Sequence, residues 1–274
     1  MKVGFIGTGS MGSILIEAFI QSGVLESKQI VVTNRTIAKA QRLAEQHPGL
    51  HVAASVAETT RLSHIVFICV KPHEFKRVVN EIATVVTPDQ LVVSITSPIL
   101  IEQLENSLPC KVAKIIPSIA NYVQSGASIC MYGSRIGTED RLLLEQLMIS
   151  ISQPIVISEQ HTRITSDICS CGPAFLALFV QKWIDAAVER TGIDYSEATR
   201  LACEMVLGTG KLLTEGKLTP EQLQQRVAVP GGITAEALHL LQHKLDGVFH
   251  QLIDVTHGKF QEDLEKVKKL WSET

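Results

Sequence analysis

The chain has 274 residues, room for two ordinary domains or one large one. Hydrophobic residues make up 45% and charged residues 19%, a globular balance, and a formal net charge of −3 gives no electrostatic basis for binding nucleic acid or an anionic membrane. Met1-Lys2 before the strand-like Val3-Gly4-Phe5-Ile6 lacks the parts of a secretion signal, and no apolar run reaches the ~18 residues of a membrane span, so a cytoplasmic protein with no membrane partner is expected.

Strand-like runs at residues 2–6, 30–33, 64–70, 90–95 and 111–116 alternate with amphipathic stretches at 11–21, 37–46, 74–84 and 100–107. That alternation predicts a parallel, doubly wound sheet with helices on both faces. Val66-Phe67-Ile68-Cys69-Val70 and Leu91-Val92-Val93-Ser94-Ile95 are nearly unbroken apolar runs, as strands buried on both faces require. Residues 127–131, 139–149 and 155–157 read as strand, helix and strand that finish the sheet.

After about residue 160 strand signals stop and helical periodicity takes over. Pro173 suits the first turn of a long helix to about Thr191, closed by Gly192. A second helix spans residues 196–215, and Thr219-Pro220-Glu221 opens a short third one, with threonine as cap. Pro230-Gly231-Gly232 is a loop before helices at 234–242 and 247–270. The expected division is an α/β domain over 1–159 and an all-α domain over 160–274. Phe175-Leu176-Ala177-Leu178-Phe179-Val180 has no polar face, so its helix must be covered on all sides. A partner subunit is the economical cover for about 110 residues of helix; the alternative is a helix central to its own domain.

The first strand runs into Gly7-Thr8-Gly9-Ser10-Met11-Gly12, a G-x-G-x-x-G, and then into a helix. The glycines permit the tight turn, the approach of a pyrophosphate and the packing of helix on strand, and the helix N-terminus offers Ser10 and Met11 amides to phosphate. Strand, motif, helix and a second strand at the right distance together define a Rossmann dinucleotide site. The second strand ends Thr33-Asn34-Arg35-Thr36, without the carboxylate that holds the 2′-hydroxyl of NAD. Arg35 suits a 2′-phosphate, with Asn34 and Thr36 as neutral hydrogen-bonding groups and Lys39 one turn on, so NADP(H) is the expected cofactor. Val70-Lys71-Pro72 closes a further strand at its carboxyl end, where ligands of open α/β sheets bind. Six scattered cysteines, Cys69, Cys110, Cys130, Cys169, Cys171 and Cys203, suit reduced thiols. The Cys169-x-Cys171 pair lacks companions for a tetrahedral site, so no metal is expected.

Gly7–Gly12, Asn34-Arg35-Thr36, Val70-Lys71-Pro72, Gly172-Pro173-Ala174-Phe175 and Pro230-Gly231-Gly232 together resemble the pyrroline-5-carboxylate reductase family over nearly the whole chain. The resemblance implies an NAD(P)H-dependent reduction of a cyclic imine, 1-pyrroline-5-carboxylate, to L-proline. It implies a Rossmann domain followed by an all-α dimerisation domain, in a homodimer whose active sites take helical segments from the partner. It further implies that Gly231 and Gly232 present backbone N–H groups to the substrate carboxylate, that Thr234 donates the proton, and that Cys171 stands at a substrate-facing position. Such chemistry is light: orientation and electrostatics carry most of it while the cofactor supplies the hydride.

Several positions depart from the family's pattern. Cys169-Ser170-Cys171 stands where the family has Ser-Gly-Ser, and Phe175 where it has tyrosine. Val229 replaces a serine before the Pro-Gly-Gly, Ser118 replaces an asparagine, and Thr96-Ser97-Pro98 replaces a glycine-containing turn. A hydrogen bond to a carboxylate is worth about 1.5–3 kcal/mol, so these changes bear on turnover. In this the chain is similar to the late-competence-operon (ComER-like) branch of the family. Two alternatives stand beside the reductase. One is an NADP-binding regulatory paralogue with weakened catalysis. The other is a β-hydroxyacid dehydrogenase, against which the long helix has no lysine between Gly172 and Lys182.

Overall fold

The computed structural model describes residues 1–272. Its strands are β1 (Val3–Ile6), β2 (Ile30–Thr33), β3 (His51–Val52), β4 (Ile65–Ile68), β5 (Leu91–Ser94), β6 (Lys111–Ile116), β7 (Ala127–Tyr132) and β8 (Gln153–Val156). They form one sheet in the order β3-β2-β1-β4-β5-β6-β7-β8. The order reverses direction at β1, so the carboxyl ends of β1, β2 and β4 open one crevice.

Helices α1 (Ser10–Gln21), α2 (Ile37–Gln46), α3 (Val56–Leu62), α4 (Phe75–Ala83), α5 (Ile101–Ser107) and α6 (Thr138–Ile149) pack on the sheet. Alternation along the strands separates two cores. Phe5, Ile65 and Phe67 join Leu15, Phe19, Leu43 and Leu147 on one face. Ile6, Val66 and Ile68 join Val78, Val79, Ile82 and Leu104 on the other. The rings of Phe5 and Phe67 stack at 5.1 Å across neighbouring strands.

The sheet departs from the all-parallel expectation at β7, which runs antiparallel to β6. Parallel neighbours need a crossover of a dozen or more residues, usually a helix. Between Ile116 and Ala127 there is only the short 3-10 turn Ile119–Val123, so the chain folds directly back. β3 and α3 are absent from the sequence-based elements: two residues carry no readable period, and α3 holds the buried β-branched pair Thr59-Thr60.

The helical part comprises α7 (Thr162–Ser166), α8 (Gly172–Thr191), α9 (Tyr195–Thr214), α10 (Pro220–Val227), α11 (Ile233–Leu245) and α12 (Val248–Ser272). Thr219 caps α10 as its sequence predicts, accepting from Gln222 N–H at 3.2 Å. Gly192, at φ +73°, closes α8. Pro173 falls in the first turn of α8, as expected, but α8 does not start afresh there. α7 passes through a π turn, Asp167–Cys171, into α8 without a break, and Pro173 sits just after that turn. Because the run is continuous, the helix Glu159–Thr191 is long and apolar enough to cross a membrane by length and composition alone, a length hidden when the run is cut at Pro173.

The switch from strand to helix falls between β8 and α7, but packing divides the chain elsewhere. One compact unit is Met1–Pro173 together with the chain from Val255 onward; the other is Ala174–Asp254. Val267 of α12 is buried in the core of the first unit. The second unit buries little of itself: Leu178 and Trp183 on α8 are 57% and 58% exposed, and Ile184 and Ala198 are its buried hydrophobic residues. The alternative of α8 as the central helix of its own domain is therefore not what the chain does.

Candidate functional site

β1 delivers the chain into the glycine turn at the sheet's reversal point. Gly7 has φ +102°, and a Cβ there would lie 2.7 Å from the Cys69 carbonyl oxygen. A Cβ on Gly12 would collide with the Gly7 carbonyl, so α1 can approach β1 only with glycine at that place. Gly9 is different: nothing lies within 4 Å of where its Cβ would be. It caps α1 with no side-chain hydrogen bond, which leaves the first amides of the helix facing open space. That is the arrangement a pyrophosphate requires.

Gly7, Gly9, Asn34, Arg35, Thr36, Lys39, Val70 and Lys71 line one cleft of ≈ 470 Å³. Ser10 and Met11 line an adjoining cleft of ≈ 440 Å³ with Gly9, Val70, Lys71, Ile95, Thr96, Ile116, Pro117 and Ser170. The two share Gly9, Cys69, Val70 and Lys71, so together they follow the carboxyl edge of the sheet from the end of β2 to the end of β6. Gly12 and Pro72 line neither cleft. Gly12 acts through packing, and Pro72 begins the 3-10 turn Pro72–Glu74 beside Lys71.

Asn34, which lines the first cleft, also hydrogen-bonds within the loop itself. Its Oδ1 accepts from Thr8 N–H at 3.1 Å and its Nδ2 donates to the Thr36 carbonyl at 3.0 Å. It ties the glycine turn to the end of β2, so the amide organises the loop that meets the cofactor. Arg35 is exposed at the mouth of the first cleft, as a 2′-phosphate ligand should be, but its guanidinium pairs with Glu74. Arg77 pairs with Glu81 on the same wall. Neither carboxylate is among the sequence-based candidates, because Glu74 lies 39 residues from Arg35.

The residues present fit NADP(H). The Gly9 opening and the bare helix end suit a pyrophosphate, and Thr8 Oγ1 is buried beside them without a protein partner. Arg35, Thr36 and Lys39 at the end of β2 suit a 2′-phosphate.

The far end of the second cleft is held by a set of hydrogen bonds that gives Ser118 a purpose. Ser118 Oγ donates to the Cys169 carbonyl at 2.7 Å, and Ser170 Oγ donates to the Pro117 carbonyl at 2.8 Å. In an α-helix the Cys169 carbonyl would accept from the residue four positions on, which is Pro173 and has no N–H. The serine supplies a donor to that carbonyl. A short hydroxyl at 118 and the π turn thus belong together, and they fix Ser170 against the cleft wall.

Cys171 lines neither cleft. Arg163 Nη2 lies 3.3 Å from its sulfur and 2.8 Å from Asp167 Oδ1, while Thr256 Oγ1 donates to Asp167 Oδ2 at 2.7 Å. In this chain Cys171 makes its contact inside that polar network. Burial pushes the thiols of Cys110 and Cys130 up to about 11, and raises those of Cys69 and Cys169. Among the described residues no group of three or more His, Cys, Asp or Glu is placed to hold a metal.

Lys114 of β6 is fully buried and pairs with Glu159. Burial pushes its ammonium below the ordinary lysine range, and the neighbouring Glu159 carboxylate opposes that shift. Lys114 also donates to the Ser97 carbonyl at 3.2 Å, and Glu159 Oε1 accepts from Ile101 N–H at 3.0 Å. The pair fastens the turn after β5, which carries Thr96 of the cleft wall, to the start of the helical run.

The Pro-Gly-Gly loop lies in the second unit. Gly231 has φ +72°, which only glycine adopts freely. A Cβ on Gly232 would lie 2.7 Å from Val229 Cγ2. The Gly232 N–H donates to the Val229 carbonyl at 2.9 Å, so this amide closes the turn and is not the free donor that the family resemblance implies. Gly232 caps α11, and Thr234 stands half-buried in the first turn, where helix N–H groups have no intrahelical partner.

Comparison with known proteins accords with this arrangement. Residues 2–98 match the family model described as "NADP oxidoreductase coenzyme F420-dependent". The first unit is thus the cofactor-binding part of an oxidoreductase that uses NADP(H). Residues 159–263 match "Pyrroline-5-carboxylate reductase dimerisation". ComE operon protein 4 of Bacillus subtilis (strain 168) is 40% identical over 269 residues, 98% of each chain. Pyrroline-5-carboxylate reductase 3 of Macaca fascicularis is 30% identical over 246 residues, 88% of each. The Plasmodium falciparum pyrroline carboxylate reductase with NADP bound superposes with a TM-score of 0.82 at 24% identity, covering 99% of this chain and 98% of that one. The chain belongs to the pyrroline-5-carboxylate reductase family.

Proposed function

We propose that the protein is an NADPH-dependent reductase of 1-pyrroline-5-carboxylate or a closely related cyclic imine that bears a carboxylate, yielding L-proline or its analogue. The carrying observation is that Gly9 leaves the start of α1 open to a pyrophosphate, while Gly231, at φ +72°, leads into α11 with Thr234 in its first turn. The cofactor supplies hydride to the imine carbon. The residues of this chain bind and orient. Gly231 and the first-turn amides of α11 hold the carboxylate, and the Thr234 hydroxyl delivers a proton to the imine nitrogen. In this reading residues 1–159 bind the cofactor, and residues 160–274 form the substrate and dimerisation part. The exposed apolar side chains of α8 support a homodimer, since a second copy matching the dimerisation family would cover them. The same cover accounts for the apolar length of Glu159–Thr191 without a membrane, and the cytoplasm is the proposed site of action.

Thr234→Ala tests the assignment. It should lower kcat about 100-fold while NADPH affinity, measured by fluorescence titration, stays unchanged. A fall in NADPH affinity with kcat intact contradicts the role given to Thr234. Ser118 and Val229 favour a second reading, an NADP-binding regulatory paralogue. The hydroxyl of one is committed to the Cys169 carbonyl, and the side chain of the other cannot donate to a carboxylate.

A further inference from the structure

Glu74 sits where a cofactor phosphate would have to compete with it. It ends the 3-10 turn after Lys71, and its side chain is only 17% exposed, while that of Arg35 is 74% exposed. Arg35 comes from the end of β2 and Glu74 from beyond β4, so their ion pair crosses the mouth of the cleft from one side of β1 to the other. Lys39, Arg77 and Glu81 share this wall, and Arg77 is itself occupied by Glu81. Two of its cations are thus neutralised by carboxylates of the chain.

We infer that Glu74 is a specificity-determining residue that competes with the 2′-phosphate of NADP(H) for Arg35, and so weakens NADP(H) without affecting NAD(H). The inference rests on the NADP(H) reading of the site and deepens it. A guanidinium shared with a carboxylate offers a dianion less of its charge, and the carboxylate itself repels that dianion. A ribose 2′-hydroxyl is neutral and feels neither effect strongly. The chain thereby moderates its own preference for the phosphorylated cofactor, through a side chain that touches the phosphate-binding arginine rather than the ring that reacts.

Isothermal titration of NADPH, NADH and adenosine 2′,5′-bisphosphate into the intact protein tests this with no turnover involved. Glu74→Gln should tighten NADPH and adenosine 2′,5′-bisphosphate about three- to fivefold, the upper range of an exposed ion pair, and leave NADH within about twofold. Arg35→Ala should weaken the two phosphorylated ligands at least tenfold and abolish the effect of Glu74→Gln in the double variant. Unchanged NADH binding serves as the control for folding. Loss of NADPH affinity in Arg35→Ala with no gain in Glu74→Gln overturns the Glu74 inference alone. Loss of NADH affinity in Glu74→Gln overturns it too, by showing that the carboxylate binds the ribose. Equal NADPH and NADH affinities that Arg35→Ala does not alter overturn the NADP(H) reading beneath it.

Discussion

The two packed units of this chain differ in what they finish for themselves. The first closes two cores on the faces of one sheet, stacks Phe5 on Phe67, and shapes a cleft from its own loops. The second has the apolar side chains of five helices or helix segments, of which Ile184 and Ala198 are buried. At about 25 cal/mol per Å² of apolar surface, side chains such as Leu178 and Trp183 contribute little until something covers them. Nucleotide binding is thus a property the first unit can hold locally. The second unit leaves its apolar side chains for the proposed dimer to cover.

The largest effect should come from breaking the cover. Trp183→Asp on α8 should raise the dissociation constant of the proposed dimer about a thousandfold, read by sedimentation equilibrium. NADPH affinity should meanwhile change less than about threefold if the first unit is self-sufficient. The mirror-image change is Gly12→Val, whose side chain would enter the Gly7 carbonyl. It should weaken NADPH at least about a hundredfold, because the helix end can no longer meet the phosphates, while sedimentation still reports the wild-type assembly. If either variant disturbs both properties equally, the two units are not independent in this sense.

A smaller effect probes the join between sheet and helical run. Ser118→Ala leaves the Cys169 carbonyl without its donor, which should cost about 1 kcal/mol and lower Tm by about 2–4 °C in calorimetry. An unchanged Tm would mean that water replaces the hydroxyl and that Ser118 is not what accommodates Pro173.

How much of this was legible follows the same division. The strands at β2 and β6 and the helix α2 stand where the hydrophobic period puts them, since burial on both faces leaves a strong pattern. The glycine turn and Arg35 are readable because their chemistry is local. Features that depend on distant partners are not. Glu74 meets Arg35 across 39 residues, Ser118 meets Cys169 across 51, and no period marks either pairing. The π turn hides for a related reason: Pro173 looks like a fresh helix start, and the hydroxyl that reaches the turn comes from Ser118, just after β6. The amide of Gly232 shows the limit of resemblance, since its sequence suits an anion loop while the geometry commits it to Val229.

The central claim is that a conventional NADP(H) end and a modified substrate end still perform one reaction. The most direct measurement is the fall in absorbance of the reduced nicotinamide band when purified protein, NADPH and 1-pyrroline-5-carboxylate are mixed. The account predicts steady oxidation of NADPH that depends on both the imine and the protein, and falls about 100-fold in Thr234→Ala. Tight NADPH binding with no oxidation, across 1-pyrroline-5-carboxylate and other cyclic imines, would contradict it.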